Sequence, residues 1–257
     1  MSICPLSESW FLEVDQSINS AYQHFSLEDQ QLIETFCKTQ SQARFKEIGL
    51  NSKIPVLHIN TEGVFAKISD LKNEFRLSFE QGEMARRMAQ ASETLCRVTG
   101  ASRGKIMTIH DATAGLCRES ILMASCGAKV SASERSLALY LLAKDALNRS
   151  NIPIDLLKKN SLDHQVQAHV VYLDPMFPKS KKKAAVGKEA VVLRAFAEQS
   201  MDQEENLLEW ALDSAICRVV VKRPIKAEYL AQKAPTSSVK GKAIRFDIYG
   251  KQKLPKA

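Results

Sequence analysis

From Ile106 to Lys222 the chain alternates short apolar runs with stretches of helical spacing, and no other feature restricts its fold as much. Ile106–His110, Lys129–Ser133, Ile154–Lys158, His169–Leu173 and Arg218–Lys222 read as strands. Gly115–Ser125, Leu137–Arg149, Lys188–Ala197 and Gln203–Ile216 read as the helices around them. Two parallel strands need a long crossover between them, usually a helix, so this rhythm predicts a mostly parallel sheet with right-handed crossovers and helices on both faces. His169-Val-Val-Tyr-Leu173 is apolar enough to be buried on both sides. Ile244–Tyr249 alternates and is expected to close one edge. The first hundred residues lack the rhythm. There, Ser26 and Asp29 predict the capped start of a helix carrying Leu32, Ile33 and Phe36. Pro55–Ile59, Val64–Ile68 and Phe75–Phe79, separated by turn-forming segments, predict a small antiparallel meander. Met84, Met88, Ala91, Leu95 and Val98 predict one packing helix. The expectation is a small N-terminal α+β domain over 1–99 and an α/β domain over 100–257.

Composition and charge exclude several functions. The longest apolar run, Leu137–Ala143, is far short of the about 20 residues of a membrane span. The opening MSICPLSESW has no basic and apolar signal pattern, so a cytoplasmic location is expected. Six cysteines without a C-x-x-C pair argue against zinc and against a disulfide framework, and are read as reduced thiols. The five histidines are too dispersed for a metal site; no metal is expected. The charge is segregated: Lys222–Ala257 carries ten basic and two acidic residues, and Lys179–Lys188 adds five lysines without an acid. A polyanion docks on such a surface, because each phosphate contact releases counterions; a solvated basic tail is the alternative.

Three features fall at successive strand ends, where ligands bind in sheets of this kind. Asp111-Ala-Thr-Ala-Gly115 puts an acid and then small residues before a helix, which lets a ligand approach the backbone. It lacks the G-x-G-x-x-G spacing of a pyrophosphate cradle, which counts against a nucleotide-dependent oxidoreductase and suits a nucleoside without phosphates. Glu134, nineteen residues after Gly115, stands where an acid accepts ribose hydroxyls. Asp174-Pro-Met-Phe-Pro178 offers a carboxylate and an aromatic ring on a rigid loop, suited to a flipped base. Lys179, Lys181, Lys182 and Lys183 follow it directly, and Lys222, Arg223 and Arg245 belong to the same rim, so all seven are candidate phosphate contacts.

Taken together, DATAGL (111–116), Glu134-Arg135-Ser136, VVYLDPMFP (170–178), RVVVKRP (218–224) and GKAIRFDIY (241–249) resemble the ribosomal RNA small subunit methyltransferase J family. The resemblance runs over residues 79–249 and is weak over 1–75. It implies a Rossmann-like sheet, S-adenosylmethionine (AdoMet) as cofactor, and methylation of the exocyclic N2 amine of a guanine in 16S rRNA. It also implies cofactor contacts from Arg118, Glu119, Glu134, Arg135, Asn160, Ser161 and Asp174. Asp111 and Gly115 join them from the strand-end reading. Asp174, Pro175 and Phe177 are the residues expected at the reacting base, and 16S rRNA or the small subunit is the expected partner. Cys117 stands where the family usually has Gly, Glu119 where it has Asp, and a Gly-rich run near 90–94 is missing. A non-catalytic RNA-binding or ribosome-assembly protein of the same fold would explain the basic surface but not the acids at the strand ends.

Overall fold

The computed structural model describes residues 10–14, 25–39, 54–89, 94–102, 107–175, 187–197 and 204–255. Its centre is a seven-stranded sheet of β4 (Thr108–Asp111), β5 (Lys129–Ser133), β6 (Ile154–Leu157), β7 (Ala168–Leu173), β8 (Ala215–Pro224), β9 (Ser237–Lys240) and β10 (Ile244–Gly250). The strand order is β6-β5-β4-β7-β8-β10-β9. The first five strands are parallel, and β10 runs antiparallel between β8 and β9. The chain winds outward from β4 to β6, then starts again at β7 on the other side of β4. That reversal puts the crevice of a doubly wound sheet beyond the carboxyl ends of β4 and β7.

The helices are α1 (Leu27–Thr39), α2 (Gly82–Ala89), α3 (Thr94–Thr99), α4 (Arg118–Ser125), α5 (Leu137–Arg149), α6 (Lys188–Phe196) and α7 (Glu204–Ser214). The period-two alternation of the strands explains why both faces of the sheet are covered. Val170, Tyr172 and Val220 pack with Ile121, Leu122 and Leu141 of α4 and α5. Val171, Leu173, Val219 and Val221 pack on the opposite face with Leu208 and Ala211 of α7. The five central strands and α5 stand where the apolar rhythm predicts them.

The N-terminal part holds a separate three-stranded sheet: β1 (Phe11–Val14) lies parallel to β2 (Val56–Asn60), and β3 (Gly63–Lys67) antiparallel to it. Leu12, Leu57, Ile59, Val64 and Ala66 are buried in one apolar core with Leu141 and Leu142 of α5. A Cβ at Gly63, where φ is +140°, would lie 2.5 Å from the Asp145 carboxylate of α5, so only glycine admits this approach. Ser26 caps α1 as expected. Its backbone N–H and hydroxyl donate to the Asp29 carboxylate at 3.2 and 2.8 Å, the Asp29 N–H donates back to Ser26 Oγ at 3.2 Å, and the Tyr140 hydroxyl of α5 donates to the other Asp29 oxygen.

Several expectations change. The third strand of the meander is a single bridge, Phe75 to Ala66, because beyond it Arg149 Nη2 takes the Leu77 carbonyl at 2.5 Å. The predicted packing helix is two, α2 and α3, with 90–93 outside the described residues. Helix α4 starts at Arg118, because Gly115 (φ 53°) and Cys117 (φ 57°) adopt left-handed backbone that no helix continues through. At the other end, β8 begins at Ala215, where a helix was expected to continue. The β10 edge is covered by β9, a strand too polar to announce itself. Cys96 and Cys126 form a disulfide, with Cα atoms 6.4 Å apart, where thiols were expected; α3 and the end of α4 pack side by side, a juxtaposition that cysteine spacing does not reveal. No helix among the described residues is long and apolar enough to cross a membrane.

Candidate active site

The turn after β4 is built around a carboxylate. Asp111 is buried; its Oδ1 accepts the Thr113 N–H at 3.2 Å and its Oδ2 the Ser120 hydroxyl at 2.5 Å. Burial raises it to about 7 against those two hydrogen bonds. Glu134, just past β5, reaches back into the same turn. One of its oxygens accepts the Gly115 N–H at 2.8 Å and the other the Ser136 N–H at 2.6 Å. Burial raises Glu134 to about 7 as well, opposed by the same two N–H groups. A carboxylate has about four acceptor sites, so Glu134 both ties the two loops together and keeps capacity for ribose hydroxyls. Arg135 follows it, partly exposed.

After β6, Asn160 Oδ1 accepts the Leu162 N–H at 3.3 Å, and the Ser161 hydroxyl donates to the Ala112 carbonyl at 2.7 Å. The third strand-end loop is thereby fastened to the first. After β7, the Asp174 N–H donates to Thr113 Oγ1 at 2.7 Å, which fastens the fourth strand end to the same turn. Asp111, Gly115, Glu134, Asn160, Ser161 and Asp174, read separately along the sequence, thus meet at one rim. Thr113 and Ser120 are part of the assembly and were not singled out, because a hydroxyl that braces a loop leaves no pattern in a sequence.

Lys222 is the largest revision. It was expected on an RNA phosphate, but it lies inside the site. Its Nζ stands 2.7 Å from Asp174 Oδ2 and 2.7 Å from Glu119 Oε1. The alternation along β8 sends Val221 toward α7 and Lys222 toward α4, where Glu119 sits in the first turn. Burial raises Asp174 to about 6 and a neighbouring Glu119 charge adds to this, while the Lys222 ammonium opposes it. Glu119 is held below its ordinary value despite burial, by Lys222 and then by Arg87 and Arg118. Lys222 itself is raised although burial opposes it, because both acids favour its charge.

Arg118 Nη1 pairs with Glu189 of α6 at 2.6 Å, and its Nε lies 3.3 Å from Met84 Sδ of α2. Cys117 occupies the position where the family resemblance has glycine, and its left-handed backbone shows why glycine suits it. Arg223 and Arg245 also depart from expectation. Both are buried, Arg223 Nε donating to the Glu228 carbonyl at 3.0 Å and Arg245 Nε to Asp247 at 2.9 Å, so they brace the loop after β8 and do not offer a phosphate surface. Pro175 is described and partly exposed. Phe177, Lys179, Lys181, Lys182 and Lys183 lie outside the described residues.

His110, behind the turn, is held by Ser131 Oγ at 2.9 Å and Ser133 Oγ at 3.1 Å. Burial and then His164 lower it to about 4, which makes it a neutral core residue. Among the described residues no group of three or more acids, histidines and cysteines is arranged to hold a metal ion.

Comparison with known proteins shows the family of the chain. The family model described as "Putative SAM-dependent methyltransferase" matches residues 42–251. The chain is 38% identical over 194 residues to a ribosomal RNA small subunit methyltransferase J of Psychromonas ingrahamii, covering 70% of this chain and 76% of that one. It is 35% identical over 248 residues to that of Mannheimia succiniciproducens, covering 84% and 98%. Among solved structures it is similar to a SAM-dependent methyltransferase from Neisseria gonorrhoeae, with a TM-score of 0.64 at 25% identity, over 93% of this chain and 95% of that one.

Proposed function

The chain belongs to the ribosomal RNA small subunit methyltransferase J family of AdoMet-dependent methyltransferases, and we propose that it methylates the exocyclic N2 amine of a guanine in 16S rRNA. The observation that carries this reading is the Asp174–Lys222–Glu119 cluster at the switch point of the sheet. Its donor set fits the cofactor. Asp111, Glu119, Glu134 and Asp174 gather at one rim, two of them paired to the Lys222 ammonium, an acid-rich setting that favours a ligand bearing a sulfonium and an ammonium and disfavours a pyrophosphate. Glu134 would hold the ribose, with Asn160, Ser161 and Arg135 beside it and Gly115 giving close access to backbone. Glu119 and Arg118 would border the amino-acid end. When bound, AdoMet supplies an electrophilic methyl group.

The residues of the chain prepare the other reactant. A guanine N2 lone pair is delocalised into the ring and is a poor nucleophile. Asp174, ionised above about pH 6, accepts a hydrogen bond from the amine and draws the lone pair out of conjugation. Lys222 keeps the Asp174 carboxylate charged and fixes its rotamer, and Thr113 fixes its backbone. Pro175 lacks an N–H and so brings no rival donor to the loop's acceptors. Phe177 stacks on the guanine, and Lys179, Lys181, Lys182 and Lys183 bind flanking phosphates. In-line placement of the two reactants supplies much of the remaining rate. In this reading residues 1–99 are an α+β appendage and 100–257 the methyltransferase unit. The small ribosomal subunit is the partner, and the cytoplasm the place of work.

Calorimetric titration tests the cofactor assignment: the protein should bind AdoMet and not NAD, and labelled methyl should pass to 16S rRNA. NAD binding without AdoMet binding would remove the assignment.

A further inference from the structure

After Pro224 the chain leaves β8 on the rim that carries Lys222 and follows an irregular path, residues 225–236, before β9. This loop is held from beneath by three buried side chains. Arg223 Nε donates to the Glu228 carbonyl at 3.0 Å, Arg245 Nη1 to the Ile225 carbonyl at 2.8 Å, and the Tyr249 hydroxyl to the Lys233 carbonyl at 2.7 Å. Ala231 and Gln232 both take left-handed backbone, at φ 52° and 53°. Two consecutive non-glycine residues in that region are costly and persist where the surroundings impose them, often at binding surfaces.

What the loop presents is an aromatic ring. Tyr229 is 41% exposed, and the Arg245 guanidinium, pinned by Asp247, lies 5.0 Å from its ring centre. Tyr229, Ile225, Ser237, Ser238, Lys240 and Arg245 line a cleft of about 390 Å³, toward the lower end of the volumes that hold small ligands. The Asp247 carboxylate beneath it is taken by Arg245 and by the Ser238 hydroxyl at 2.5 Å, so no acid opens into the cleft. Lys226, Lys233 and Lys242 belong to the same loop and the turn that follows β9. An exposed ring for stacking, a lysine for phosphate and serine hydroxyls form a combination that takes a nucleotide without reading its identity. Ile225 is three residues past Lys222, at most roughly 11 Å along the chain, so the cleft lies on the segment that leaves the same strand end.

We propose that this cleft is a substrate subsite: it holds an unpaired nucleotide of the RNA that flanks the target guanine, with the base on Tyr229 and the phosphate at Lys240. The inference deepens the methyltransferase reading and rests on it for the identity of the RNA. The rigid loop keeps the ordering cost of binding low.

The test measures the affinity of the intact protein for a 16S rRNA fragment, by fluorescence anisotropy across a salt series, for Tyr229→Ala, Tyr229→Phe and Lys240→Ala. Tyr229→Ala should weaken RNA binding roughly tenfold, the scale of one lost base–aromatic stack, with AdoMet affinity and melting temperature unchanged. Tyr229→Phe should bind within about twofold of the parent, since it keeps the ring. Lys240→Ala should make the salt dependence shallower by a little under one unit of slope. RNA carrying a photoreactive 4-thiouridine next to the target should cross-link to the 225–240 segment. Parent-like RNA affinity in Tyr229→Ala would overturn the proposal, as would a loss of melting temperature that accounts for the weakening. These binding measurements stand apart from turnover: absence of methyl transfer by the parent protein would sink the methyltransferase reading and leave the cleft to be judged on binding alone.

Discussion

Asp174 and Glu119 each face the Lys222 ammonium at 2.7 Å. Removing that ammonium leaves two half-buried carboxylates in mutual repulsion, with Asp111 and the Tyr172 hydroxyl nearby and Arg87 and Arg118 as neighbouring cations. In the proposed mechanism Asp174 works ionised, so turnover should rise with pH through its titration, near 6 in the parent protein. In Lys222→Met that acid limb should move to higher pH, by about one unit or more, while Lys222→Arg should keep it near the parent position. A kcat profile from pH 5 to 9 checks this; an unmoved limb in Lys222→Met would remove Lys222 from the control of Asp174. Glu134 offers a second titration with its own sign. Its folded value of about 7 lies above the usual range, so the fold favours its neutral form. Its contribution to stability is therefore complete below about pH 4.3 and is lost as pH rises through 7. The melting temperature of the parent relative to Glu134→Gln should fall between those limits.

At the scale of elements, Asp29 ties α1 to α5. It caps α1 through Ser26 and accepts the buried Tyr140 hydroxyl of α5. Asp29→Ala should cost about 2 kcal/mol in urea unfolding, more than an exposed cap alone, because Tyr140 is left with a buried unpaired hydroxyl. The elements that the sequence made legible are those whose burial imposes a pattern. β7 reads as a strand because both of its faces are covered, and α5 because Leu137 to Leu147 is apolar on nearly every side. β9, Ser237-Ser-Val-Lys240, lies half exposed at an edge and carries no such pattern. Phe75–Phe79 has the composition of a strand, but Arg149 takes the Leu77 carbonyl, a partner that only tertiary structure supplies. In the candidate site, the meeting of Asp111, Glu134 and Asp174 at one rim was readable because all three stand at strand ends of one parallel sheet. Lys222 was misread because its charge shows in the sequence, while the face of β8 from which it projects does not.

On the scale of the whole molecule, charge is divided in a way that one reaction explains. The chain carries a net +7, with the excess in its last third and in the 179–188 run, yet Asp111, Glu119, Glu134 and Asp174 gather at the rim beyond β4 and β7, with Lys222 between two of them. A basic exterior gathers a polyanion; an acidic crevice receives a cationic cofactor and a neutral base. The central claim is that Asp174 activates a guanine amine for methylation. Its most direct test is to incubate the protein with AdoMet and 16S rRNA, as naked RNA and as small subunits, digest the product to nucleosides and identify the methylated one by mass spectrometry. The account predicts N2-methylguanosine as the product, and its loss by a factor of roughly a hundred or more in Asp174→Asn with AdoMet affinity within a few fold. A methyl group on any other atom, or an Asp174→Asn protein that turns over like the parent, would contradict it.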